Sequence, residues 1–217
     1  MATEIIAVDT PQGPGRFLLD RAEQPVSLLV LGHGAGGGPT AMDLELLANR
    51  LPERGASVAR FEQPWRSAGG RVAVRPPRLD QAWLAALEWL AGQPWAHGRL
   101  FVGGRSAGAR VACRTADALG AAGVVCLAFP LHLPGRPEKS RAVELLMPAA
   151  PRLVLQGTQD GFGTPAEIRA AVGDAAGVRL VELPGADHSF RLARSAPFTP
   201  ADLRQAVVEQ VAAFVQP

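Results

Sequence analysis

Residues 100–110 read LFVGGRSAGAR, an apolar run from Leu100 to Gly103 that passes through Gly104-Arg105-Ser106-Ala107-Gly108 into a segment of helical character. A strand followed at once by G-x-S-x-G and then by a helix forces the serine onto a sharp, strained turn with its hydroxyl exposed. Small residues must flank such a turn because neighbouring backbone passes close by, and Gly104 and Gly108 meet that need. The bland alternative is a glycine-rich β-to-α turn that carries an incidental serine. The partners available to Ser106 decide between the two.

A serine hydroxyl is a weak nucleophile at neutral pH and needs an adjacent base, itself oriented by an acid. Downstream, Leu153 to Gln156 is a buried-looking strand running into a loop that ends at Asp160. Gly185-Ala186-Asp187-His188 follows the last strand, Val178 to Leu183. The chain order is therefore serine, acid, histidine, with room between them for the intervening strands and helices. Asp187 is a rival acid by proximity, but adjacent residues rarely present their side chains to one another at the angle needed to hold an imidazole, so Asp160 is preferred. Of the other histidines, His97 in Trp95-Ala96-His97-Gly98 reads as a surface residue.

Outward from this centre, short apolar or β-branched runs alternate with helical patterns, the signature of βαβ units and a mainly parallel sheet. Strands are expected at Ser27 to Leu31, Ser57 to Phe61, Gly123 to Ala128 and Arg152 to Gln156. Helices are expected over about Thr40 to Arg50, Leu79 to Ala91 and Ala107 to Leu119. Glu4 to Val8 and Arg16 to Asp20 form an opening antiparallel hairpin around the turn-rich segment Thr10 to Gly15. Thr164-Pro165-Ala166-Glu167 and Thr199-Pro200-Ala201-Asp202 each combine an N-cap, a proline at the first helical position and an acid three residues on, so a helix starts at each. The expectation is a single α/β domain over residues 1–217, with a twisted, mostly parallel sheet and helices on both faces.

Leu31-Gly32-His33-Gly34-Ala35-Gly36-Gly37-Gly38 ends a central strand in a glycine run able to aim free backbone N–H groups at a developing oxyanion, with Ala107 as the second donor. The same run spells G-x-G-x-x-G through Gly32, Gly34 and Gly37 and is followed by a strand that ends at Glu62, which imitates a dinucleotide fingerprint. Two earlier strands and the delay at Pro39-Thr40 argue against a pyrophosphate site there.

The 217 residues, 47% hydrophobic and 19% charged, describe an ordinary globular chain. Net charge is +2 and Lys139 is the single lysine, so arginine clusters reflect compositional bias, and nothing points to nucleic acid. Met1-Ala2-Thr3-Glu4 lacks the basic start of a secretory signal, and no apolar run spans a bilayer, so a cytoplasmic protein with no membrane partner is expected. Cys113 and Cys126 lie in apolar stretches without metal-type spacing and read as buried free thiols.

LGHGAGG at 31–37, GGRSAGAR at 103–110, FPLHLPGRPEKSR at 129–141, LQGTQDGFGTP at 155–165 and GADHSF at 185–190 together resemble the α/β-hydrolase superfamily. The likeness is specifically to small, cap-less members grouped with dienelactone hydrolase-like and testis-expressed-type hydrolases. It spans nearly the whole chain. It implies Ser106 as nucleophile, Asp160 as acid, His188 as base, and backbone N–H groups near Ala35 and Ala107 as the oxyanion hole. Dienelactone hydrolases proper carry cysteine at the nucleophile position, and this chain departs from them at Ser106. Only about Phe129 to Pro148 is available for a lid, so no cap domain is expected and the site should be open and shallow.

Candidates for lining that site are Trp65, Phe129, His132, Phe162 and Phe190, each equally consistent with packing; His132 either braces its proline-rich loop or touches substrate. Arg60, Arg66, Arg71, Arg75 and Arg78 either attract an acidic substrate or belong to a solvated loop. The expected activity is that of a serine hydrolase acting on a small-molecule, ester-like substrate, a carboxylic ester or thioester, with no metal or organic cofactor. The alternatives are a non-catalytic α/β-hydrolase-fold binding or regulatory module and, third, a dinucleotide-binding oxidoreductase.

Overall fold

The computed structural model describes residues 3–216; Met1, Ala2 and Pro217, and the expectations that fall on them, lie outside the described residues. Eight strands form one sheet: β1 (Glu4–Thr10), β2 (Gly13–Asp20), β3 (Ser27–Gly32), β4 (Ala56–Glu62), β5 (Arg99–Arg105), β6 (Gly123–Leu127), β7 (Arg152–Gly157) and β8 (Val178–Leu183), in the order β1-β2-β4-β3-β5-β6-β7-β8. β1 and β2 form an antiparallel hairpin, and β2 runs antiparallel to β4. All remaining pairs are parallel.

The strands show why helices cover both faces. Leu28, Val30, Val124, Cys126 and Val154 point into one apolar cluster, whereas Leu29, Leu31, Val125, Leu127, Leu153 and Leu155 point into another. Side chains alternate with a period of two along a strand, so a strand that is apolar at every position must be buried on both sides. On the first face lie α3 (Pro76–Ala91), α4 (Ala107–Thr115), α5 (Ala142–Leu146) and α6 (Pro165–Val172). On the second lie α1 (Met42–Arg50) and α7 (Pro200–Val215). The short helix α2 (Pro64–Ser67) follows β4. Thr164 with Glu167, and Thr199 with Asp202, form the expected capping boxes, each cap contributing about 1 kcal/mol to its helix.

Several boundaries differ from expectation. The hairpin ladder continues through Asp9↔Pro14 and Thr10↔Gly13, so most of the segment read as a turn is strand and only Pro11-Gln12 turns. Gly13 at φ 104° and the Thr10 hydroxyl, which donates to the Gly13 carbonyl at 2.7 Å, close it. The helix expected to reach Leu119 ends at Thr115, whose hydroxyl bonds back to the Val111 carbonyl at 2.8 Å before a turn that closes at Gly120. The helices α2 and α5, of 4 and 5 residues, are too short to display a helical period and were not expected. Between β6 and β7 only α5 intervenes, so there is no cap domain. Cys113 and Cys126 are buried free thiols with sulfurs 3.5 Å apart; their mutual contact and burial push the Cys126 thiol up, keeping it protonated.

Candidate active site

Ser106 sits between β5 and α4 with φ 52° and ψ −109°, a conformation rarely adopted by a residue with a side chain. Gly32 of β3 explains its neighbours: a Cβ on Gly104 would lie 2.3 Å from the Gly32 carbonyl oxygen, and one on Gly108 would lie at the same distance. The turn thus closes only because both positions lack a side chain. As N-cap of α4, Ser106 makes no capping bond. Its hydroxyl instead lies 3.0 Å from His188 Nε2.

The other ring nitrogen, Nδ1, is 2.8 Å from Asp160 Oδ2. A carboxylate only accepts, so Nδ1 carries the proton and Nε2 is free to accept from the serine. Asp160 is 1% exposed, and its charge is held by two further donors: Gln156 Nε2 at 2.8 Å on Oδ2 and the Phe162 N–H at 2.8 Å on Oδ1. Asp187 faces elsewhere. Its Oδ1 accepts the N–H groups of Ser189 and Arg191 at 2.7 and 2.8 Å, shaping the loop that bears His188 without touching the imidazole.

The glycine run after β3 lies beside the serine, since a Cβ on Gly34 would come 3.7 Å from Ser106 Cβ. His33 stabilises this turn. Its Nδ1–H donates to the Gly34 carbonyl at 2.9 Å and its Nε2 accepts the Gln63 N–H at 3.2 Å. Burial holds its pKa below the ordinary value, so the ring is neutral, as accepting from Gln63 requires. Ala35 and Ala107 both border a cleft of about 10 Å³, room for roughly one water or methyl group. Among the described residues no protein acceptor takes the Ala35 N–H, and a first-turn helical N–H such as that of Ala107 has no intrahelical partner. The glycine run opens into a loop, not directly into α1, and the Glu62 carboxylate is buried and paired with Arg16, which leaves no free acid for a ribose.

The lining candidates divide. Trp65 borders the cleft together with Trp83, and the indole N–H groups of both are buried without an acceptor. Phe162 stacks on the His188 imidazole. Phe129 is a correction: it is 0% exposed within the first apolar cluster and packs the interior. Phe190 is also buried, at φ 54°, under the Arg105 guanidinium 5.2 Å from its ring. His132 is buried in its loop, with Nδ1 bonded to the Leu133 carbonyl at 2.9 Å and Nε2 3.4 Å from Glu167, so it braces that loop. Of the arginines of 60–78, Arg60 is buried against Asp20 at 3.0 Å, Arg66 donates to the Gly70 carbonyl, Arg78 donates to Gln12, and Arg71 and Arg75 are exposed. His97 is exposed.

Two contributors were missed. Gln156, a fully buried amide directly after the apolar run Leu153 to Leu155, was visible as a polar interruption. Arg105 carried no signal in an arginine-rich chain. Its guanidinium pairs with Asp43 and donates to the His188 carbonyl. Among the described residues no group of three or more histidine, cysteine, aspartate or glutamate side chains is placed to hold a metal ion, and no helix is long and apolar enough to cross a membrane.

A mostly parallel sheet with a strained serine at the carboxyl end of a central strand and no cap defines a lidless α/β-hydrolase fold. The chain belongs to the alpha/beta hydrolase family, whose domain model matches residues 25–216. It is similar to an alpha-beta serine hydrolase homologue from Coxiella burnetii, with 22% identity over 97% of this chain and 98% of that one and a TM-score of 0.77. XC6422 from Xanthomonas campestris, described as an α/β serine hydrolase without lid, is 24% identical over 100% and 97% of the two chains with a TM-score of 0.73. Dienelactone hydrolase from Anabaena variabilis is 20% identical over 97% and 95%, with a TM-score of 0.74. At these identities the likeness concerns the fold.

Proposed function

We propose that the protein is a serine hydrolase that cleaves small carboxylic esters or thioesters through an acyl-enzyme on Ser106. One observation carries this reading: an unbroken hydrogen-bond chain runs from the Ser106 hydroxyl through His188 to the buried Asp160, at 3.0 and 2.8 Å. As Oγ attacks the carbonyl carbon, its proton passes to Nε2, and Asp160 stabilises the imidazolium. The oxyanion lies between the Ala35 and Ala107 N–H groups, each such donor contributing about 10²–10³ in kcat. Collapse expels the alcohol or thiol, which takes the proton from Nε2. Water, deprotonated by the same nitrogen, then releases the acid.

The cleft beside Ala35 and Ala107, walled by Trp65 and Trp83, receives the acyl group and admits only a short one. The alcohol side, without a cap, faces solvent. Two unpaired thiols fit a reducing compartment such as the cytoplasm. The test is hydrolysis of p-nitrophenyl acetate: wild type turns it over, and Ser106→Ala loses about 10⁶ in kcat with an unchanged Tm. A folded wild type without turnover or burst favours a non-catalytic module.

A further inference from the structure

We propose that Arg105, paired with Asp43, is a positioning residue that fixes the His188 imidazole against Ser106. The inference rests on the hydrolase reading above and concerns a contact that spans three separate elements. Arg105 is the last residue of β5, directly before the nucleophile, and its side chain reaches α1 and the histidine loop.

Its Nη1 lies 2.5 Å from Asp43 Oδ2, in a pair with side-chain exposures of 12% and 3%. Its Nη2 donates to the main-chain carbonyl of His188 itself. Its guanidinium also covers the ring of Phe190, held at φ 54°. Asp43 lies in the first turn of α1, where the helix dipole favours a carboxylate, so the anchor of the pair is itself held.

The histidine loop has its own internal shape, set by Asp187, but shape does not fix its distance from the nucleophile. Thr158 and Gln159 tie the start of the loop, at Gly185 and Ala186, to the end of β7, and among the described residues Arg105 alone hydrogen-bonds it to the strand that delivers Ser106, through the backbone of His188. The planar guanidinium is needed since one group must satisfy two acceptors in different directions. A displacement of about 1 Å at a reacting group costs on the order of 10² in rate.

Removing Arg105 alone leaves Asp43 buried and unpaired, which endangers folding. The test is therefore the double variant Arg105→Met/Asp43→Asn alongside Arg105→Lys, with two readouts. Toward p-nitrophenyl acetate the double variant loses about 10- to 100-fold in kcat with KM moved less than about threefold, and Arg105→Lys falls between it and wild type. Independently of turnover, the low-field proton resonance of His188 Nδ1–H, sharp in wild type, broadens or disappears in the double variant. If that resonance persists and kcat is unchanged, or if KM alone rises, the positioning role is overturned. If the resonance is lost in the variant while the wild type itself hydrolyses nothing, the positioning role stands and the hydrolase reading falls.

Discussion

Phe162 lies against the imidazole of His188, ring centroids 4.2 Å apart and planes inclined by 30°. Its own N–H donates to Asp160, so one residue both orders the proposed acid and covers the proposed base. In the proposed mechanism the ring restricts imidazole rotation, and its face favours the imidazolium formed during attack. Contacts of that kind contribute about 0.5–2 kcal/mol. Phe162→Ala should therefore lower kcat/KM by about 2- to 30-fold, with Ser106 still reactive toward a fluorophosphonate. Steady-state kinetics check this, and an unchanged kcat/KM would show that the ring only fills space.

Asp160→Asn should cut kcat by about 10⁴, because the amide imposes the wrong tautomer on His188 and removes the stabilising charge. Asp187→Asn should be mild, since an asparagine oxygen can still accept from Ser189 and Arg191. Comparable losses in the two variants would mean that the acid is misassigned.

The buried His33 gives a signed pH dependence. Burial lowers its folded-state pKa, while Glu62 raises it and Arg66 lowers it by smaller amounts. The unfolded chain then binds more protons than the folded one between the folded value and about 6.5, so stability is fully present above about 6.5 and is lost as pH falls through that window. Protonation also removes the acceptor for the Gln63 N–H. The drop in Tm between about pH 7.5 and pH 5.5 should be smaller in His33→Gln than in wild type. Equal drops would place the acid sensitivity elsewhere.

A cleft of about 10 Å³ cannot enclose a long acyl chain. Each enclosed methylene is worth about 0.8 kcal/mol, close to fourfold, but one left in water gains nothing. Across p-nitrophenyl acetate, butyrate, octanoate and palmitate, kcat/KM should be flat or falling beyond butyrate. A steady rise through octanoate would show an acyl tunnel, and Trp65→Ala should shift the optimum toward longer chains.

Much of this arrangement was legible in the residues because each element carried its own local signal. The apolar runs Leu28 to Leu31 in β3, Val124 to Leu127 in β6 and Leu153 to Leu155 in β7 announced strands buried on both faces, and Thr164 and Thr199 announced two helix starts. The grouping of Ser106, Asp160 and His188 was legible because each follows the carboxyl end of a strand in a mostly parallel sheet, and those ends lie along one edge. Lining residues were less legible: Phe129 and Phe162 have the same side chain, but the first ends in the interior beside β6 and the second on the imidazole, a difference set by loop conformation alone. Arg105 was invisible for a related reason, since its partners Asp43 and His188 are 62 and 83 residues away and nothing local marks the contact.

The most direct test of the central claim is labelling of the native protein by a fluorophosphonate, with the modified residue located by mass spectrometry. Attack on phosphorus requires an activated serine, not merely an exposed one. The account predicts one covalent adduct, on Ser106, which is abolished by Ser106→Ala and strongly slowed by His188→Ala, with both variants folded. A folded wild type that remains unlabelled while a known esterase reacts in parallel, or an adduct on another residue, would contradict it.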